Sequence, residues 1–152
     1  MARRSPSANF LGIERQRERV FKARKKIASE GLNNAEVFHG DAHEVLNRLP
    51  DECADYVHVL FPDPWPKRRH KNRRMVGLAF LVEVSRLLKA RGRLRLVTDD
   101  PDYARATELH ATSISRFRRI ESETCDYPST EFQLKFVEVS RPIFRLLFER
   151  LS

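Results

Sequence analysis

The amino-acid sequence predicts an α/β fold, a mostly parallel sheet with helices on both faces, and three observations predict it. Short apolar runs of strand length alternate with stretches of helical periodicity. Glycine or proline punctuates the junctions, at Gly31, Pro62 and Gly92. Predicted strands end at acidic residues: Glu14, Gly40-Asp41, Phe61-Pro62-Asp63 and Thr98-Asp99-Asp100. Ligands of such sheets collect at the carboxyl ends of the strands, and an acid at each of these ends is more than solubility requires.

The elements follow in chain order. Asn9 to Glu14 (NFLGIE) is a short apolar run closed by a carboxylate, the first strand. Arg15 to Glu30 switches to helical spacing, with Val20, Ala23 and Ile27 on one side and Gly31 as a natural C-cap. Ala35 to His39 (AEVFH) predicts a strand, Ala42 to Leu49 a helix, and Tyr56 to Phe61 (YVHVLF) a largely buried strand stopped by Pro62. Leu78 to Lys89 carries Phe80, Leu81, Val84, Leu87 and Leu88 at helix spacing, and Gly92 leads into a strand over Leu94 to Thr98. A helix over Tyr103 to Ser115, a short strand over Phe117 to Ile120, and a pair of antiparallel strands between Phe132 and Glu149, ending in Ile143 to Phe148, complete the reading.

A chain of 152 residues is one domain's worth, so residues 1–152 are expected to form a single domain. With 41% hydrophobic and 33% charged residues it is globular rather than disordered. No apolar burst approaches the roughly 20 residues of a membrane span, and the basic N-terminus lacks a signal-peptide core, so a cytoplasmic protein without a membrane partner is expected. Cys53 and Cys125 stand far apart with no Cys-x-x-Cys pair, which argues against a zinc site or disulfide framework. No metal is expected. The excess of 29 Lys+Arg over 21 Asp+Glu gives a net charge of +8, which favours a polyanionic partner without separating tRNA, DNA, ribosome and anionic lipid.

The acids admit two readings each. Glu14 either accepts hydrogen bonds from the hydroxyls of a ribose or serves as a cap or first-turn acid of the following helix. Asp41 either holds an adenine amino group or caps its helix. The segment Phe61 to Arg74, FPDPWPKRRHKNRR, is more specific. Three prolines fix the backbone around Asp63 and the only tryptophan, Trp65, directly at a strand end. Six cations, Lys67, Arg68, Arg69, Lys71, Arg73 and Arg74, follow within eight residues and suit phosphate contacts, which give affinity without sequence information. A solvated basic loop or a localisation patch is the plainer reading of that run.

This segment resembles the signature of the bacterial tRNA (guanine-N7)-methyltransferase family (TrmB), and the resemblance continues through NFLGIE, the GDA around Asp41, the LVTDDPDYA around Asp99 and Tyr103, and STEFQLKF near the end. It implies a Rossmann-like class I fold dependent on S-adenosylmethionine. It further implies that Glu14, Asp41 and Asp63 bind that cofactor, with Asp63 at the catalytic centre. Lys67 and Asp99 would contact substrate, and Arg69, His70, Lys71, Asn72, Arg73 and Arg74 would touch RNA. Thr130, Glu131, Phe132 and Gln133 would close the substrate pocket. The family pattern there reads Thr-x-Phe/Tyr-Glu, so Gln133 keeps the acceptor and loses the charge.

The implied activity is methyl transfer to N7 of the variable-loop guanine of tRNA. Family members begin with a strand and a Gly-rich turn of Glu-Ile-Gly-x-Gly type that lies against the methionine part of the cofactor. This sequence, starting MARRSPSANFLGIE, has no such turn, and a fold truncated at its N-terminus with a gap in the sheet is expected. A start placed too far downstream, a deliberate fragment, and an inactive tRNA-binding remnant are the explanations to separate. A basic ribosome- or nucleic-acid-binding structural protein also fits the charge, but it leaves the acidic strand ends unexplained.

Overall fold

The computed structural model describes residues 1–65, 68–121 and 142–152, with residues 68, 71 and 72 described by their backbone alone. It divides into two compact units, Met1–Arg48 and Leu49–Ser152.

In the first unit, strand β1 (Phe10–Glu14) and strand β2 (Ala35–His39) pair in parallel, from Phe10 opposite Ala35 to Glu14 opposite His39. Helix α1 (Arg17–Ser29) connects them, and a short helix α2 (Ala42–Leu46) follows β2. The periodicity of α1 points Val20 inward, and Arg24 Nε donates to the Val37 carbonyl at 2.9 Å, holding the helix to β2. The helix ends as Gly31 predicts. Gly31 takes φ of +62°, its N–H donates to Ala28 and that of Leu32 donates to Ile27, the paired bonds of a Schellman cap. The Asn34 side-chain amide lies within hydrogen-bonding distance of the Ala2, Ser5 and Ala8 carbonyls, anchoring the N-terminal segment. Helix α2 is shorter than the predicted Ala42 to Leu49, because the Arg48 N–H turns back to the Val45 carbonyl in a tightened last turn.

The second unit is built on a four-stranded sheet of order β3-β4-β6-β5. Strand β3 (Ala54–Leu60) is parallel to β4 (Leu88–Thr98), while β6 (Phe144–Arg150) is antiparallel to both β4 and β5 (Phe117–Arg119). Helix α3 (Leu78–Leu87) joins β3 to β4, and α4 (Pro101–Thr112) follows β4. Phe80, Leu81, Val84 and Leu87 of α3 are buried together with Leu94, Leu96 and Val97 of β4, Tyr103 and Ala111 of α4, and Phe148 of β6. Burying such side chains is worth about 1.5–3 kcal/mol each, so this cluster is the main hydrophobic contribution to the unit.

Two expectations are corrected, and a third lies partly outside the described residues. Strand β3 is half exposed rather than largely buried, with Tyr56 at 39% and Leu60 at 37%, because among the described residues it has a single neighbour, β4. Strand β4 begins at Leu88, directly after α3, rather than beyond Gly92. Arg91 at φ of +64° and the closely packed Gly92 turn the chain within the strand, where the pairing with β3 shifts register between Ala54 and Tyr56. Of the predicted C-terminal strand pair, the second strand is β6, and the first falls in residues 122–141, outside the described residues, as does Cys125.

Candidate functional site

Parallel pairing of β3 with β4 sets Leu60 opposite Val97, so both strands release their carboxyl ends on one edge of the sheet. The Phe61 N–H donates to the Val97 carbonyl at 2.8 Å and prolongs the ladder by one bond. Pro62, Asp63, Pro64 and Trp65 leave from this point, and Asp99 and Asp100 leave from the end of β4 beside it. Two residues flanking Asp63 are backbone-strained. Phe61 has φ of +49° and Trp65 φ of +42°, a conformation that costs a non-glycine residue about 1–2 kcal/mol and persists only where the surroundings impose it. Asp63 is exposed between them.

The surroundings that impose it centre on Arg74 and Tyr103. Arg74 Nε donates to the Pro64 carbonyl at 2.8 Å, and its Nη2 lies 3.5 Å from Asp100 Oδ1. Its guanidinium sits over the Tyr103 ring, 4.8 Å from the centroid. Tyr103 is fully buried, and its hydroxyl accepts the Val76 N–H at 3.0 Å. Burial pushes that hydroxyl above its ordinary range; the Val76 N–H and the Arg74 cation oppose the shift, and the charge of Asp63 adds to it. Asp100 caps α4, accepting the Tyr103 N–H at 2.6 Å, and its own N–H donates to Thr98 Oγ1 at 3.1 Å.

The basic segment forms a 3₁₀ turn, Arg68–Arg73. Arg69 and Arg73 are exposed; the Arg73 guanidinium lies over Trp65 at 5.3 Å from the ring centre, and the His70 ring meets Trp65 edge-on at 5.7 Å. Arg74, expected at the RNA with its neighbours, has its side chain turned inward instead. Lys67 and Thr130, Glu131, Phe132 and Gln133 lie outside the described residues, as do the side chains of Lys71 and Asn72.

In the first unit both acids are engaged in local hydrogen bonds. Glu14 Oε1 accepts the Gln16 N–H at 2.8 Å and Oε2 lies 3.6 Å from Arg19. Asp41 is the N-cap of α2, accepting the His43 N–H at 2.9 Å. A carboxylate offers about four acceptor positions, so neither acid is used up by its local role. Among the described residues no group of His, Cys, Asp and Glu is arranged to hold a metal ion, and no helix is long and apolar enough to cross a membrane.

The sequence reading missed the role of Asp100 as the cap of α4 and partner of Arg74, and the inward course of Arg74. The Asp-Pro at Asp100-Pro101, an N-cap residue followed by proline at the first helical position, is the signal that could have identified the first.

Solved structures share this architecture. A SAM-dependent methyltransferase from Aquifex aeolicus superposes with a TM-score of 0.63 at 17% identity, over 94% of this chain and 69% of that one. Precorrin-6y C5,15-methyltransferase from Geobacter metallireducens gives 0.64 at 16% identity, over 97% and 69%. The fold is thus the Rossmann-like class I methyltransferase fold. A family profile described as "Putative methyltransferase" matches residues 1–146, and the chain belongs to this methyltransferase family. Curated relatives named tRNA (guanine-N(7)-)-methyltransferase include those of Nitrosococcus oceani, 36% identical over 98% of this chain and 64% of the relative, and Rhodospirillum rubrum, 36% identical over 95% and 60%. The chain therefore spans somewhat less than two-thirds of the length of these relatives, and they bear out the family resemblance carried by its motifs.

Proposed function

We propose that the chain carries the substrate and RNA side of a tRNA (guanine-N7)-methyltransferase, which transfers methyl from S-adenosylmethionine to N7 of the variable-loop guanine. The observation that carries the reading is the placement of one segment. Exposed Asp63, between two strained residues at the end of β3, lies next to the acidic end of β4 and is followed directly by the exposed cations Arg69 and Arg73.

The chemistry suits these groups. Guanine N7 has a lone pair and no proton, so attack needs no strong general base, and positioning with electrostatics suffices. When bound, S-adenosylmethionine supplies an electrophilic methyl on a sulfonium. Asp63 and Asp99 hold the N1 and amino edge of the guanine and balance the positive charge that methylation leaves on the purine. Lys67, Thr130, Glu131, Phe132 and Gln133 are assigned to the substrate. Arg69, His70, Lys71, Asn72 and Arg73 meet the RNA backbone. Glu14 is assigned to the cofactor ribose and Asp41 to its adenine, each using acceptor positions that its local hydrogen bond leaves open. The protein acts in the cytoplasm on tRNA.

The test is methyl transfer to unmodified tRNA by this chain and by the same chain extended with a family-type strand and Gly-rich turn. Formation of 7-methylguanosine by either supports the reading. Its absence with both, while the extended chain is folded, contradicts it.

A further inference from the structure

We infer that Arg74 is a positioning residue for the Asp63 loop and not a phosphate contact, an assignment that rests on the function proposed above. Its guanidinium ties together three pieces of chain: the carbonyl of Pro64 after β3, the carboxylate of Asp100 after β4, and the ring of Tyr103 in α4. The Arg74 side chain is only 7% exposed, whereas Arg73 one residue earlier is exposed. Pro64 has no N–H, so its carbonyl is the one backbone hydrogen-bonding group it can offer, and Arg74 takes it. The next residue on either side is Asp63 or Trp65.

Three features separate this arrangement from a phosphate site. The positive charge is already balanced by Asp100, itself held in place as the cap of α4. The face of the guanidinium is covered by Tyr103, whose hydroxyl is fixed by the Val76 N–H. The Nε edge is occupied by Pro64. A planar fork that stacks and bridges at once is a property of arginine that lysine lacks, so the arrangement also predicts that Lys will not substitute. The consequence for the reaction is indirect: Arg74 sets where Asp63 stands relative to Asp99 without touching substrate.

Trp65 is the only tryptophan of the chain, so its fluorescence belongs to this loop alone. The experiment compares the wild type, Arg74→Gln, Arg74→Lys and Asp100→Asn, with Arg69→Ala as the phosphate-contact reference. Acrylamide quenching of Trp65, tRNA affinity against salt, and the kcat and KM of transfer by the Gly-turn-extended chain are measured. Both Arg74 variants are expected to raise the quenching constant, keep the salt slope of tRNA binding, and lower kcat about 10-fold or more with little change in KM, as misplacement of a reacting group does. Asp100→Asn keeps the helix cap and should shift quenching in the same direction, which covers the case of an Arg74 variant that does not fold.

Unchanged Trp65 quenching, or a salt slope reduced by about 0.9 as when one phosphate is no longer neutralised, would overturn the inference. Absence of transfer by the extended wild type would instead count against the proposed function, while the quenching comparison would still judge the role of Arg74.

Discussion

The Tyr103 hydroxyl accepts the backbone N–H of Val76 at 3.0 Å inside the core of the second unit. This bond joins α4 to the segment that leads from the basic turn into α3, so the substrate loop and the helical layer share one buried polar link. Tyr103→Phe leaves the Val76 N–H without its acceptor, and a buried unsatisfied group costs about 1–3 kcal/mol. Urea unfolding should show a lower midpoint at unchanged slope. An unchanged midpoint would mean that water or another carbonyl takes over.

His58 lies on β3, its ring parallel to that of Tyr56 at 5.7 Å. Burial, followed by the neighbouring Arg95 charge, lowers its pKa from 6.5 to about 4. The unfolded chain therefore binds one more proton than the folded chain between these values, so stability is full above pH 6.5 and is lost as the pH falls toward 4. His58→Gln should flatten the pH dependence of the unfolding midpoint in that window. An identical slope in the variant would show that carboxylates alone set the acid limit.

Gly92 packs so that an added Cβ would stand 2.8 Å from the Lys89 carbonyl and 3.2 Å from that of Ala54. Both are backbone atoms, which cannot rotate away. Gly92→Ala should destabilise by about 1–3 kcal/mol, the usual effect of overpacking, and loosen the β3–β4 register at its start. Thermal unfolding reads the cost, and a melting temperature equal to that of the wild type would show that the bulge can relax.

The exposed cations Arg69 and Arg73 are expected to neutralise tRNA phosphates. Replacing both with Ala should reduce the salt slope of tRNA binding by about 1.8, or about 0.9 for each phosphate left without its cation. Arg73→Ala should by itself alter Trp65 emission, since its guanidinium lies 5.3 Å from the indole centre. Equal affinity and slope would place the RNA elsewhere on the chain.

Much of the fold was legible because its signals are local. The bounds of β2, Ala35–His39, match the apolar run before Gly40, and the Gly31 cap follows from the end of the α1 periodicity. The alternation of strands and helices was enough to predict the α/β class. What the sequence hid depends on distant partners. The half exposure of β3 reflects how many strands pair with it, which its own apolar run does not encode. Arg74 reads as one more cation in a basic run, yet its direction is decided by Pro64 ten residues before and Asp100 twenty-six residues after. Glu14 and Asp41 each admit two readings, and the structure shows Asp41 capping α2 and Glu14 accepting the Gln16 N–H just before α1, bonds that occupy only part of each carboxylate.

The most direct measurement of the central claim is formation of 7-methylguanosine in tRNA by the Gly-turn-extended chain with Asp63 intact and with Asp63→Ala, alongside tRNA affinity for both. Transfer is expected for the former, a loss of about 100-fold or more for the latter, in the range seen when a group stabilising the transition state is removed, and unchanged tRNA binding for both. Equal turnover in the two proteins would contradict the placement of Asp63 at the reacting centre.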